Sequence, residues 1–314
     1  MSLQKLTNTN LQTIVQVYQY DFVNAKSPGL GDFLRGSFYL MQLARILNVD
    51  FKMDISNHPI SEFIINNGTS GDITYNNIEF VIGFNRPSPD ILSYLINPPK
   101  NMYFDVKFAN EVIKRLNKKR TQKVGLFTNA FPIYYKFADY GRNYIKSQLM
   151  PNQTMTDYID RAFDTLDLQP NTYAVIHIRT GDEYLTATHA KLPPFTDKIL
   201  NIINKMKNPA KKYLILSDND ALKSLLKKIP NFYVYMHKIE HLGGDINHHK
   251  RPEGIKNSLL EFYLMSYSNS ILALSVYGHI SGFSRYCSEV YNIPFTNMHI
   301  ESQSSKIIKL NLKL

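Results

Sequence analysis

The chain has 314 residues, 44% of them hydrophobic and 20% charged, which excludes a disordered or fibrous protein and suits two domains of about 150 residues each. One cysteine, Cys287, excludes an intrachain disulfide and a cysteine-rich zinc site, and no run reaches the roughly 18 apolar residues of a membrane span. The polar start MSLQKLTNTN is unlike a secretory signal, so a cytoplasmic protein is expected, and a net charge of +10 asks for an anionic partner.

In chain order, VQVYQY, VDFKMDI, FVIGF and KVGLFTN read as strands around helices near 32–48, 88–96 and 107–119. The basic run KRLNKKRTQK follows Phe108, Val112 and Leu116 at helical spacing and reads as the solvated end of a surface helix. No RNP sequence or zinc finger accompanies it, and no nucleic-acid partner is expected. MPNQTM at 150–155 has the composition of a linker. It divides a first Rossmann-like domain, 1–152, from a second, 153–314.

After a helix near 155–167, the second half alternates strands at Tyr173–Ile178, Tyr213–Leu216, Phe232–Tyr235 and Ile271–Leu274 with helices near 195–207, 219–229, 255–267 and 279–291. That alternation predicts a doubly wound α/β domain whose strands are covered on both faces. In such sheets the ligand lies at the carboxyl ends of the strands.

The first strand of this domain ends in His177, Arg179, Gly181 and Asp182. Arginine carries a permanent charge and a fork of donors suited to phosphate, and glycine permits a sharp turn. The same residues also fit a loop tied down by an Arg179–Asp182 ion pair, with His177 a core histidine. Gly29 and Gly31, with Asp32, open an apolar helix whose N-terminus suits an anion or a sugar. Ser217 and Asp218 end the next strand, where a carboxylate can accept bonds from a ribose or a base, cap a helix, or with Asp220 form a metal-binding D-x-D. Glu261 sits among Leu259, Leu260, Phe262 and Leu264, so it faces either a polar site or the helix's outer surface. Ser275, Val276, Tyr277 and Gly278 close the last strand with N–H groups able to cradle a phosphate. The histidines of HKIEHLGGDINHHKRPEG lack metal-ligand spacing, and the segment reads as a glycine-containing loop over the ligand, with Lys250 or Arg251 reaching phosphates.

H-x-R-x-G-D after an apolar strand resembles the signature of the GDP-fucose-dependent fucosyltransferases, the superfamily of α1,2-, α1,6- and protein O-fucosyltransferases. SPGLGDFLRGSFYLMQLARILN, YLILSDNDALKSLLKKIPN and NSLLEFYLMSYSNSILALSVYGHISGF are similar to its other motifs, in the same order. The resemblance implies an α/β fold of GT-B type, two Rossmann-like domains facing across a cleft, and an inverting transferase that needs no metal or cofactor. It implies GDP-fucose as donor, a glycan or other hydroxyl acceptor, and Arg179, Asp182 and Glu183 as catalytic groups. Gly29, Gly31, Asp32, His177, Arg179, Ser217, Asp218, Glu261, Ser275, Val276, Tyr277 and Gly278 would bind the donor. This chain departs from many α1,6-type relatives at Thr180, where they carry a second arginine, and at Glu183, where they carry lysine. A transferase using another nucleotide sugar, or a non-catalytic basic nucleotide- or nucleic-acid-binding protein, is the alternative.

Overall fold

A computed structural model describes residues 4–18, 26–65, 78–80, 106–118, 122–132, 138–181, 191–245, 252–278, 281–300 and 308–309. They form two compact units: one runs to Met150 and takes back the segment beginning at Leu242, and the other starts at Pro151.

In the first unit β1 (Thr13–Val17), β3 (Asp50–Asp54), β4 (Ile78–Phe80) and β5 (Lys123–Phe127) make a parallel sheet in the order β3-β1-β5-β4. Helix α1 (Leu30–Leu47) and helix α2 (Val106–Lys118) cover it, and Leu40, Leu43, Val112 and Leu116 pack on Ile14, Val124 and Leu126. Gly36 is required at its place because a Cβ there would come within 1.6 Å of the Thr128 carbonyl oxygen. Buried Gln16 bonds that same carbonyl from Nε2 at 2.7 Å and takes the Thr128 N–H on Oε1 at 3.3 Å, so a side chain extends the sheet's pairing by one rung. Helix α3 (Asp139–Gln148) escapes the sequence pattern; its Tyr144 hydroxyl accepts the Met53 N–H at 3.1 Å. The helix expected near 88–96 lies outside the described residues.

The returning segment has specific partners in this unit. Strand β9 (Gly244–Asp245) pairs antiparallel with β2 (Lys26–Ser27), and Gly243 sits so close that a Cβ would lie 2.4 Å from the Gly29 nitrogen. The Leu242 carbonyl meets His58 Nε2 at 3.0 Å and accepts from the Tyr18 hydroxyl at 3.5 Å. Tyr18 is stacked between Phe33, at 4.2 Å, and His58, at 3.9 Å. In the segment expected as a glycine-containing loop over the ligand, Gly244 and Asp245 form a strand instead; Lys250 and Arg251 lie outside the described residues.

The second unit opens with α4 (Gln153–Leu166), capped by the Asn152 side chain on Met155 N at 3.0 Å. Its sheet holds β6 (Tyr173–Arg179), β7 (Lys212–Ser217), β8 (Phe232–Tyr233), β10 (Ser270–Ser275), β11 (Phe295–His299) and β12 (Ile308–Lys309). The order is β12-β11-β10-β6-β7-β8, parallel except for β12 on β11. Helices α5 (Thr196–Met206), α6 (Asp220–Leu226), α7 (Pro252–Ser266) and α8 (Gly282–Tyr291) alternate with these strands. Strand β8 stops two residues short of expectation, and β11 was not anticipated. The chain leaves β6 toward β7 and β8 and comes back to β10 on the other side of β6. This reversal parts the connecting loops at the carboxyl ends of β6 and β10, where open α/β sheets take their ligands. Among the described residues no helix is long and apolar enough to cross a membrane.

Candidate functional site

The register of the second sheet sets Arg179, the last residue of β6, beside Ser275, the last of β10, and Ile178 beside Ser217, the last of β7. Three of the sequence-predicted segments therefore meet at the point of strand reversal. Gly181 takes φ 127, a conformation that disfavours any side chain. Asp182 and Glu183, expected as catalytic groups, lie outside the described residues.

Asp218 organises the turn. Only 4% exposed, its carboxylate accepts from Arg179 Nη1 at 2.9 Å, Thr180 N at 2.8 Å, Thr180 Oγ1 at 2.7 Å and Gly181 N at 3.4 Å. Arg179 thus pairs with the carboxylate at the end of the neighbouring strand, and the guanidinium is held by a charge-assisted bond with little room to rotate. Asp218 caps no helix: the cap of α6 is Asn219, whose Oδ1 accepts Leu222 N at 2.8 Å. Ser217 Oγ takes the Asn219 N–H at 3.2 Å. Asp220 pairs at 3.0 Å with Lys223, a buried lysine. Among the described residues no cluster of three His, Cys, Asp or Glu side chains could hold a metal ion.

His177 points toward α8, its Nδ1 3.1 Å from Ser284 Oγ and its ring 5.8 Å from that of Phe283. Burial lowers its pKa to about 4, against the upward pull of Glu261 and Asp218 and with a further downward push from Arg179. At neutral pH the ring is an uncharged group beside a cation, able to donate or accept a hydrogen bond without adding charge.

The turn after β10 differs from the expected phosphate cradle. Val276 N already donates to the Arg179 carbonyl at 3.2 Å, and Tyr277 N to Ser275 Oγ at 3.1 Å. The Val276 carbonyl is met by His299 Nε2 at 2.8 Å. These bonds fasten the turn to β6 and β11 and leave Gly278, with nothing within 4 Å of where its Cβ would be, at an open edge. In the first unit Gly29 is the extended residue before α1, and Asp32 pairs with Arg35 at 2.9 Å while Arg35 Nε donates to the Asn129 carbonyl.

Glu261 does not lie on the outer face of α7: its side chain is 3% exposed and faces His237 Nε2 at 3.4 Å. His237 escaped sequence reasoning because it is one of several histidines in a segment without periodicity.

No family model and no curated protein matches the sequence. Solved structures are similar in fold. The NodZ α-1,6-fucosyltransferase soaked with GDP-fucose is similar over 92% of this chain and 95% of its own, at 13% identity and a TM-score of 0.53. The same enzyme co-crystallised with GDP gives 0.52 over 92% and 95% at 13% identity. Fucosyltransferase NodZ from Bradyrhizobium gives 0.51 over 91% and 95% at 14%. With its two parallel sheets, the chain has the α/β fold of these GT-B fucosyltransferase structures.

Proposed function

We infer that the protein is an inverting, metal-independent glycosyltransferase that moves fucose from GDP-fucose to the hydroxyl of a glycan or other acceptor. One observation carries this reading: a guanidinium clamped at the strand reversal of the second unit, beside the turn after β10, on a fold whose similar structures include complexes with GDP and GDP-fucose. Breaking a sugar–phosphate bond through an oxocarbenium-like state builds negative charge on the departing diphosphate. A preoriented arginine stabilises that charge most, because it need not reorganise as the bond breaks. The Asp218 carboxylate supplies the preorientation.

The remaining assignments follow the same reading. The residues of 153–314 bind the donor and those of 1–152 the acceptor. Glu261 and His177 contact the nucleotide, Ser217 lines the approach, and Ser275, Val276, Tyr277 and Gly278 border the diphosphate. Asp182 or Glu183 takes the acceptor proton. The test is a thermal-shift panel followed by a transfer assay in excess EDTA. GDP and GDP-fucose should raise the melting temperature more than UDP, CMP or single-stranded RNA. An equal response to UDP-sugars would reject the guanine assignment, and loss of transfer on chelation with recovery on manganese would reject the metal-independent scheme.

A further inference from the structure

A cleft in the first unit is lined by none of the residues assigned to catalysis or to the donor. It has a volume of about 520 Å3 and is bordered by Arg45 and Asn48 at the end of α1, Asp50 and Phe51 at the start of β3, and Tyr140 and Tyr144 on α3. That volume falls within the range of about 300–1,000 Å3 typical of small-molecule sites. Its position sets it apart from the reaction. Asp50 opens β3, so the cleft lies at the amino end of that strand, whereas open α/β sheets take their reacting ligands at the carboxyl ends. The walls are firmly built. The Tyr144 hydroxyl accepts the Met53 N–H at 3.1 Å, and its ring meets Phe51 edge-on with centroids 5.8 Å apart. Gly141 brings α3 close to α1, since a Cβ there would lie 2.9 Å from Met41 Sδ. Asn48 ends α1 at φ 56, its N–H donating to the Arg45 carbonyl at 3.2 Å. What these walls present is mixed: Tyr140 is 47% exposed, with the Arg45 guanidinium 5.0 Å over its ring, and Asn48 and Asp50 are exposed as well.

We propose that this cleft is a subsite for a neutral sugar residue, holding a part of the glycan other than the hydroxyl that reacts. A pyranose has faces of C–H groups, which suit aromatic rings, and a rim of hydroxyls that both donate and accept. The tyrosines offer the apolar surface with a polar tip. The Asp50 carboxylate accepts from hydroxyls, the Arg45 guanidinium donates to them, and the Asn48 amide does both. Other ligand classes fit less well. Among the described lining residues the one guanidinium, Arg45, is matched by one carboxylate, Asp50, so an anion gains little net charge of opposite sign. A wholly apolar ligand would desolvate three polar side chains without giving them partners. The inference rests on the reading of the acceptor as a glycan and adds to it a place where that glycan is held; it makes no use of the donor.

The experiment is calorimetric titration of the full chain with malto-, cello-, xylo- and chito-oligosaccharides and with inorganic phosphate. It compares the wild type with Tyr140→Ala, Tyr140→Phe, Asp50→Ala and Arg45→Gln, with a melting curve and a GDP thermal shift for each. At least one sugar series should bind the wild type. Tyr140→Ala and Asp50→Ala should each weaken it by about tenfold or more, the scale of losing an anchoring contact. Tyr140→Phe, which keeps the ring, should retain most of the affinity. Because these side chains are exposed, melting temperatures should hardly change, and the response to GDP should stay as in the wild type. Sugar binding that is unaltered in both alanine variants would overturn the subsite while leaving the glycan reading in place. Phosphate bound by the wild type and released by Arg45→Gln would make the cleft an anion site and overturn the proposal as well. A wild type that binds none of the sugars also overturns it, and the GDP shift then reports separately on the donor reading.

Discussion

Replacing Asp218 with alanine tests the architecture of the site independently of any substrate. The carboxylate takes four donors, from the Arg179 guanidinium, the Thr180 N–H and hydroxyl, and the Gly181 N–H, at 2.7 to 3.4 Å. Its loss takes the carboxylate away from a guanidinium whose side chain is only 14% exposed and removes the acceptor of the buried Thr180 and Gly181 N–H groups. Breaking a buried ion pair from one side costs about 3–5 kcal/mol. For a cooperative unit of this size that corresponds to a fall of about 6–20 °C in melting temperature. Circular dichroism on Asp218→Ala and Asp218→Asn measures it, and asparagine should recover part of the loss because it keeps one acceptor of the same shape. A fall below about 1 kcal/mol, the scale of an exposed pair, would show that the carboxylate does not hold the turn.

Arg179→Ala should be milder for stability, since Asp218 keeps its bonds to Thr180 and Gly181, but should lower turnover per folded molecule about 100-fold or more; Arg179→Lys should restore only part of it. Unchanged turnover in folded Arg179→Ala would reduce the pair to a loop clasp. His177, at about 4 in the fold against about 6.5 unfolded, binds its proton less readily when folded. Its contribution is therefore complete above pH 6.5 and declines as the pH falls toward 4, by about 3 kcal/mol in all. Denaturant titrations across that window should show the decline in the wild type and lack it in His177→Gln; parallel curves would refute the assignment. Gly36→Ala places a methyl 1.6 Å from the Thr128 oxygen, and should destabilise the first unit by about 1–3 kcal/mol or more, whereas Gly278→Ala, at an open position, should leave the melting temperature unchanged.

Where hydrophobic period was strong, the sequence was legible. Tyr173–Arg179 is apolar on both faces until its last residues and could be nothing but a covered strand, and α1 announced itself by Leu34, Phe38, Met41 and Leu43. Strand β11, FTNMH, carries threonine, asparagine and histidine among its apolar residues, and α3, DYGRNYIKSQ, has a glycine and few apolar positions. Neither has a period that stands above its polar content. The site was readable in its strand ends, because a parallel sheet places such residues side by side whatever their separation in sequence. Which charge meets which was not. The bond from Arg179 goes to Asp218, 39 positions away, because the end of the neighbouring strand brings that buried acceptor beside it. The pairing of His237 with Glu261 depends likewise on where the chain after β8 folds back on α7.

The segment that begins at Leu242 bears on how the molecule can be taken apart. Because the chain leaves the second unit after His241 and rejoins it before α7, no single cut separates the two units. A fragment ending at Met150 would lack β9, the strand partner of β2, and would leave His58 and Tyr18 turned toward a missing carbonyl. The complementary fragment would carry that segment without its seat. The fragment ending at Met150 is thus the incomplete one and should regain its native signal only when refolded with the rest of the chain, whereas the fragment from Pro151 onward keeps every residue of the second unit.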